Sequence, residues 1–121
     1  MKALVVEDDL VLSFLYETYL NRLGFETEGN MVYGKTAVET AQNFNPDLIL
    51  MDIILEGEMD GIDAVKKIQD EKDISVIYIT SSNDPNHKRR AAQATKYLDY
   101  LIKPIDFDDL KGVIKKHFDI K

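Results

Sequence analysis

Four short apolar runs constrain this chain more than anything else in it: Ala3–Val6, Asp47–Met51, Ile74–Ile79 and Tyr97–Ile102. Each is four to six residues long and rich in Val, Ile, Leu or Tyr. Uninterrupted apolar runs of that length suit strands covered on both faces, as in a parallel sheet. A weaker segment, Phe25–Gly29, alternates less clearly and is expected at a sheet edge.

The intervening segments read as helices. Leu12, Leu15, Tyr16, Tyr19, Leu20 and Leu23 recur at three- and four-residue spacing, and Gly24 follows as a stop. Thr36–Phe44 carries Ala37, Val38, Ala41 and Phe44 and is closed by Pro46, while Ile62–Ile68 repeats the pattern. Asp84–Lys96 opens with a capping acid and a first-turn proline, but it is poor in large apolar residues and is expected to be weakly anchored. Asp106–Phe118 has Phe107, Leu110, Val113, Ile114 and Phe118 on one stripe, with acids at its start and bases at its end. Strand and helix alternate five times, which predicts an α/β fold with a parallel sheet between two helix layers.

The 121 residues suit one domain, 1–121, and the last helix is expected to run almost to Lys121, leaving no output domain. No cysteine is present, which excludes disulfides, thiolate metal sites and a cysteine nucleophile, and fits a reducing cytosol. With 15 Lys+Arg against 22 Asp+Glu the net charge is −7, unsuited to binding nucleic acid. The apolar runs are far shorter than the roughly 20 residues that span a bilayer. The N-terminal segment reaches Glu7-Asp8-Asp9 too early for a signal peptide. A cytoplasmic protein with no membrane or nucleic-acid partner is expected.

In sheets of this kind the working site lies beyond the carboxyl ends of the strands. Glu7, Asp8 and Asp9 follow the first strand, Asp52 follows the third, Thr80 ends the fourth, and Lys103-Pro104 follows the fifth. Clustered carboxylates repel unless a cation joins them, and hard oxygen ligands with open positions suit Mg²⁺. A carboxylate can also attack phosphorus, a step that needs charge neutralised on the equatorial oxygens. Plainer roles are available to each residue singly: helix capping for Glu7-Asp8-Asp9, loop capping for Asp52, a strand end for Thr80, a solvated charge for Lys103. It is the conjunction that carries the reading.

In order and spacing, Val5-Val6-Glu7-Asp8-Asp9, Leu48-Ile49-Leu50-Met51-Asp52, Met59-Asp60-Gly61, Ile79-Thr80-Ser81 and Leu101-Ile102-Lys103-Pro104 resemble the receiver domain of two-component response regulators. The resemblance covers the whole chain and implies a flavodoxin-like (βα)5 fold with strand order 2-1-3-4-5. It implies Mg²⁺-dependent phosphorylation of Asp52 by a histidine kinase or phosphotransfer protein. The metal ligands it implies are Asp8, Asp52 and the backbone carbonyl of Ile54, with Glu7 helping directly or through water. Thr80 and Lys103 would hold the phosphoryl group, and Lys103-Pro104 would be cis. Thr80 and Tyr100 would form a switch that alters a face for a downstream protein target. The plainer role for Tyr100 is that of a half-buried strand aromatic.

Glu56 stands where the family usually has proline, and the loop through Glu56-Gly57-Glu58 is one residue longer than usual. His87 and His117 lack metal-like spacing and read as surface residues, and Lys88-Arg89-Arg90 reads as a solvated helix face. A flavin-nucleotide binder would need a Ser/Thr/Gly-rich phosphate loop where this chain has three acids. An aspartyl-phosphate hydrolase would usually need an acid at Ile54. A receiver that binds partners without phosphorylation is the remaining alternative. The expected assembly is a monomer or weak dimer, with catalysis limited to the chain's own phosphorylation and dephosphorylation.

Overall fold

The computed structural model describes residues 1–31 and 33–118. Its elements, in order, are β1 (Lys2–Val6), α1 (Leu10–Arg22), β2 (Glu26–Met31), α2 (Gly34–Phe44), β3 (Leu48–Asp52), α3 (Gly61–Glu71), β4 (Ser75–Thr80), α4 (Pro85–Ala94), β5 (Asp99–Ile102) and α5 (Phe107–His117). The five strands are parallel in the order β2-β1-β3-β4-β5. The three apolar strands β1, β3 and β4 fill the middle, and the polar β2 takes one edge. The second and fourth apolar runs begin their strands later than the sequence suggests, for a physical reason. Asp47 stays outside the strand because its carboxylate accepts the Lys2 N–H at 2.8 Å, and Tyr97 and Leu98 pack as a lead-in to β5.

Strand alternation sorts the core into two layers. Leu4, Val6, Ile49, Met51, Val76 and Tyr78 face α2, α3 and α4, meeting Ala37, Ala41, Ile62, Val65, Ile68 and Ala91. Ala3, Val5, Leu48, Leu50, Ile77 and Ile79 face α1 and α5, meeting Tyr16, Leu20, Leu110, Val113 and Ile114. Burying a Leu, Ile or Val is worth about 1.5–3 kcal/mol, so these two layers dominate the favourable side of folding. α4 buries only Ala91 in them and rests Ala94 against the same layer, the weak anchoring its composition leads one to expect.

The helix ends are set by side chains. Asp9, Asp60, Asp84 and Asp106 are N-caps, and Asp60/Asp63 and Asp106/Asp109 form reciprocal capping boxes. α5 stops at His117, where Phe118 turns extended; the expected run on toward Lys121 falls outside the described residues.

Candidate functional site

The strand order reverses between β1 and β3, and the register there places the charged groups side by side. Val6 pairs with Met51 and Asp52 pairs with Ile79, so Glu7 emerges beside Asp52. Thr80 pairs with Ile102, so Lys103 emerges at the same rim. Alternation also fixes which way they point. Glu7, Asp52 and Lys103 lie two residues beyond Val5, Leu50 and Leu101, which belong to the α1–α5 side. Thr80 and Tyr100 share the opposite parity, toward α4, since Tyr78 and Tyr100 both pack in that layer.

Lys103 joins the two buried acids. Its ammonium donates to Asp52 Oδ2 at 3.0 Å and to Glu7 Oε1 at 2.8 Å, and it lies 2.7 Å from Glu7 Oε2. Glu7 Oε2 receives no aligned hydrogen bond in spite of that contact. Asp52 Oδ1 accepts the Ile54 N–H at 3.3 Å. Glu7 is fully buried and Asp52 nearly so, whereas Asp8 is exposed. One oxygen from each of Glu7, Asp8 and Asp52 lies within 4.8 Å of the other two.

The electrostatics follow from burial. Desolvation pushes the Glu7 carboxyl up to about 7, with the Asp52 charge adding to the rise and Lys103 opposing it. Desolvation likewise raises Asp52 from its ordinary value, against the hydrogen bonds from Lys103 and Ile54. Lys103 is raised overall: burial works against its charge, but its bonds to the two carboxylates prevail. Three carboxylates thus face one ammonium, an excess of negative charge. That donor set fits a hard divalent cation.

Thr80 is buried, and its Oγ1 accepts the Ser82 N–H at 3.1 Å. Tyr100 is half-buried among Tyr78 and Tyr97, with ring centroids 6.0 and 6.1 Å away, and its hydroxyl is buried without a hydrogen bond. Ile54 is half exposed beside the site. The Lys103–Pro104 peptide is cis, as the resemblance implies.

Around the site the structure adds residues that the sequence left unassigned. Gly61 opens α3 so close to Asp52 that an added Cβ would stand 2.0 Å from the Asp52 carbonyl oxygen. Only glycine permits that approach. The long loop after Asp52 turns at Gly57 (φ 91°) and bridges through Glu56 to Tyr33, beside the top of the sheet. Asp9 proves to be the capping acid of the Glu7-Asp8-Asp9 run, accepting from the Val11 and Leu12 N–H groups.

One surface expectation needs correction. His87 is half-buried, with Nδ1 3.0 Å from Ser82 Oγ. The basic run keeps its expected solvated face at Lys88 and Arg89, which are exposed, Lys88 lying over the Tyr100 ring and Arg89 donating to Asn86 on the same helix; Arg90 is half-buried and pairs with Asp60 and Asp63. His117 is exposed, as expected.

A five-stranded parallel sheet in this order, with acids, a hydroxyl and a lysine at its carboxyl rim, defines the receiver class, and residues 3–115 match the response regulator receiver domain family. The chain belongs to that family, whose members are receivers of two-component signalling. Its curated relatives include the probable C4-dicarboxylate response regulator of Halalkalibacterium halodurans, 28% identical over 97% of this chain and 51% of that protein. The chain thus spans about half the length of that relative. Another is the sporulation initiation phosphotransferase F of Bacillus subtilis, 27% identical over 99% of this chain and 95% of that one. Among solved structures, the receiver domain of a Pseudomonas aeruginosa sensor histidine kinase superposes with TM-score 0.82 and 28% identity, covering 95% of this chain and 94% of that one. That structure holds a magnesium ion coordinated in its active-site cleft.

Proposed function

We propose that residues 1–121 form one phosphoacceptor receiver domain in which Asp52 takes a phosphoryl group from a phosphohistidine of a kinase or phosphotransfer protein. A carboxylate oxygen of Asp52 attacks phosphorus, an O–P bond forms as the N–P bond breaks, and the imidazole leaves with the bond's electron pair. Lys103 is the group that carries this reading, because its ammonium already bridges Asp52 and Glu7 at the rim. Moved slightly, it neutralises charge on a phosphoryl oxygen, and the Thr80 hydroxyl offers a hydrogen bond to another. Asp8, Asp52, the Ile54 carbonyl and Glu7 would hold Mg²⁺. When bound, the ion supplies the charge neutralisation that lets an anionic donor approach three acids.

The proposed readout is the α4 side of the sheet, where Thr80 and Tyr100 share one strand parity and where phosphorylation would alter the face offered to a downstream protein target. On this reading the chain turns over no substrate besides its own phosphoryl group, acts in the cytoplasm, and works as a monomer or weak dimer. Among the described residues, no helix is long and apolar enough to cross a membrane.

The test is intact mass after incubation with Mg²⁺ and acetyl phosphate, beside Asp52→Asn. A gain of one phosphoryl group that disappears in D52N and without Mg²⁺ is expected. A wild-type chain that stays unmodified by acetyl phosphate and by phosphohistidine donors alike would overturn the proposal in favour of phosphorylation-independent binding.

A further inference from the structure

α4 buries one residue, Ala91, yet three of its polar side chains reach three different parts of the molecule. His87 meets Ser82 in the loop after β4, and Lys88 Nζ lies 5.7 Å from the centroid of Tyr100 on β5. Arg90 reaches α3: its Nη2 stands 2.6 Å from both carboxylate oxygens of Asp60 and 3.3 Å from Asp63 Oδ1. With so little apolar packing beneath it, α4 is placed largely by these polar ties.

The Arg90 tie also leads to Asp52. Asp60 caps α3, and the next residue, Gly61, is pressed against the Asp52 carbonyl oxygen while its N–H donates to the Ile53 carbonyl at 2.8 Å. The backbone of Asp52, the start of α3 and the middle of α4 therefore form one string of direct contacts. A displacement at either end is felt at the other, because packed groups of this kind do not deform freely.

We propose that Arg90 is a positioning residue: by clamping α4 to Asp60 it links the position of α4 to the backbone of Asp52 and favours the unphosphorylated arrangement. The inference rests on Asp52 being the phosphoacceptor. Its direction follows from the state in which the clamp is made. Here Thr80 Oγ1 still accepts from Ser82, and Lys103 still lies between Glu7 and Asp52. A contact made in one of two arrangements biases the equilibrium toward it, and the phosphoryl group must then work against that bias. Because one nitrogen serves both Asp60 oxygens, the planar fork of arginine is not required, and lysine should substitute.

The experiment compares the full chain with R90A, R90K and, should R90A fail to fold, R90Q. Amide exchange of α4 is followed without ligand, and the midpoint for beryllium trifluoride, a phosphoryl mimic, is titrated with Mg²⁺ present. Expected for R90A are α4 exchange and a beryllium trifluoride midpoint each changed roughly three- to fivefold, exchange faster and the midpoint lower, with R90K close to wild type on both. Faster exchange with an unmoved midpoint would reduce Arg90 to a structural tie and overturn the linkage. So would an R90A midpoint above that of wild type. If wild type and D52N both ignore the mimic, it is the reading of Asp52 that fails, and the linkage falls with it.

Discussion

Glu7 illustrates how a single buried acid can be recognised by position and still surprise by its chemistry. Its place two residues beyond Val5 puts it on the face shared with Asp52 and Lys103, which alternation along the strand alone makes legible. What the sequence does not carry is its complete burial and its hold on Lys103, 96 residues away. The consequence is a pH dependence of definite sign. Burial pushes Glu7 from 4.5 to about 7, so between those values the folded protein holds a proton the unfolded chain has released. Stability of the metal-free protein therefore falls as pH rises through that window. Asp52, raised by desolvation, acts in the same direction. Asp60 is lowered overall, because Arg90 and the Asp63 N–H outweigh its burial, so its stabilisation is lost only as pH falls below the ordinary carboxylate range. Lys103 is raised above 10.5, and its contribution is lost only above that value. The urea midpoint of metal-free protein should be higher at about pH 5 than at about pH 7.5, and Glu7→Gln should flatten the difference. Equal midpoints in the wild type would show that Glu7 is charged in the fold at no cost.

The elements were legible to different degrees, and the contrast between α5 and α1 explains why. α5 has one apolar stripe, acids in its first turn and bases in its last, and the sequence reading of its start and its buried residues Leu110, Val113 and Ile114 agrees with the structure. Its start rests on Asp106, whose carboxylate accepts the Asp109 N–H at 2.8 Å while the Asp109 carboxylate accepts the Asp106 N–H at 3.0 Å. Asp106→Ala should cost about 1 kcal/mol, and Asp106→Asn only a few tenths, read from urea unfolding curves. Equal losses for the two would mean that charge rather than capping geometry holds the helix start. α1, by contrast, carries apolar residues on more than one side. Of its periodic residues, Tyr16 and Leu20 are buried and Leu12, Tyr19 and Leu23 pack against the same layer as read, but Leu15 is left at the surface and Ser13 is buried instead. Val11 and Phe14 stand 78% and 72% exposed, so periodicity found the packed stripe but blurred its edges, where apolar residues continue onto the solvent side. The clamp of Arg90 on Asp60 was hidden. It joins residues 30 positions apart that each have an ordinary local role, one in a helical basic run and one as a cap.

For the molecule as a whole, folding gathers like charges that an extended chain keeps apart. A chain of net charge −7 brings Glu7, Asp8 and Asp52 to within 4.8 Å of one another, against one ammonium. That concentration opposes folding and favours any cation that binds the folded state alone, so the two effects are linked. Asp8 separates them. It is exposed, and among the described residues its side chain has no hydrogen bond or ion pair, so Asp8→Asn loses no contact and, by relieving repulsion at an exposed position, should leave metal-free stability unchanged or slightly raised. The same substitution removes a proposed ligand. At Mg²⁺ ten times its dissociation constant, binding to the folded state adds about 1.4 kcal/mol, which for a domain of this size raises Tm by on the order of 5 °C. Wild type should show that rise at about pH 7.5 and D8N should lose most of it, with Ca²⁺-free buffer and matched ionic strength excluding general screening. A rise of equal size in both proteins would place the ion elsewhere on the acidic surface, away from the three carboxylates at the ends of β1 and β3.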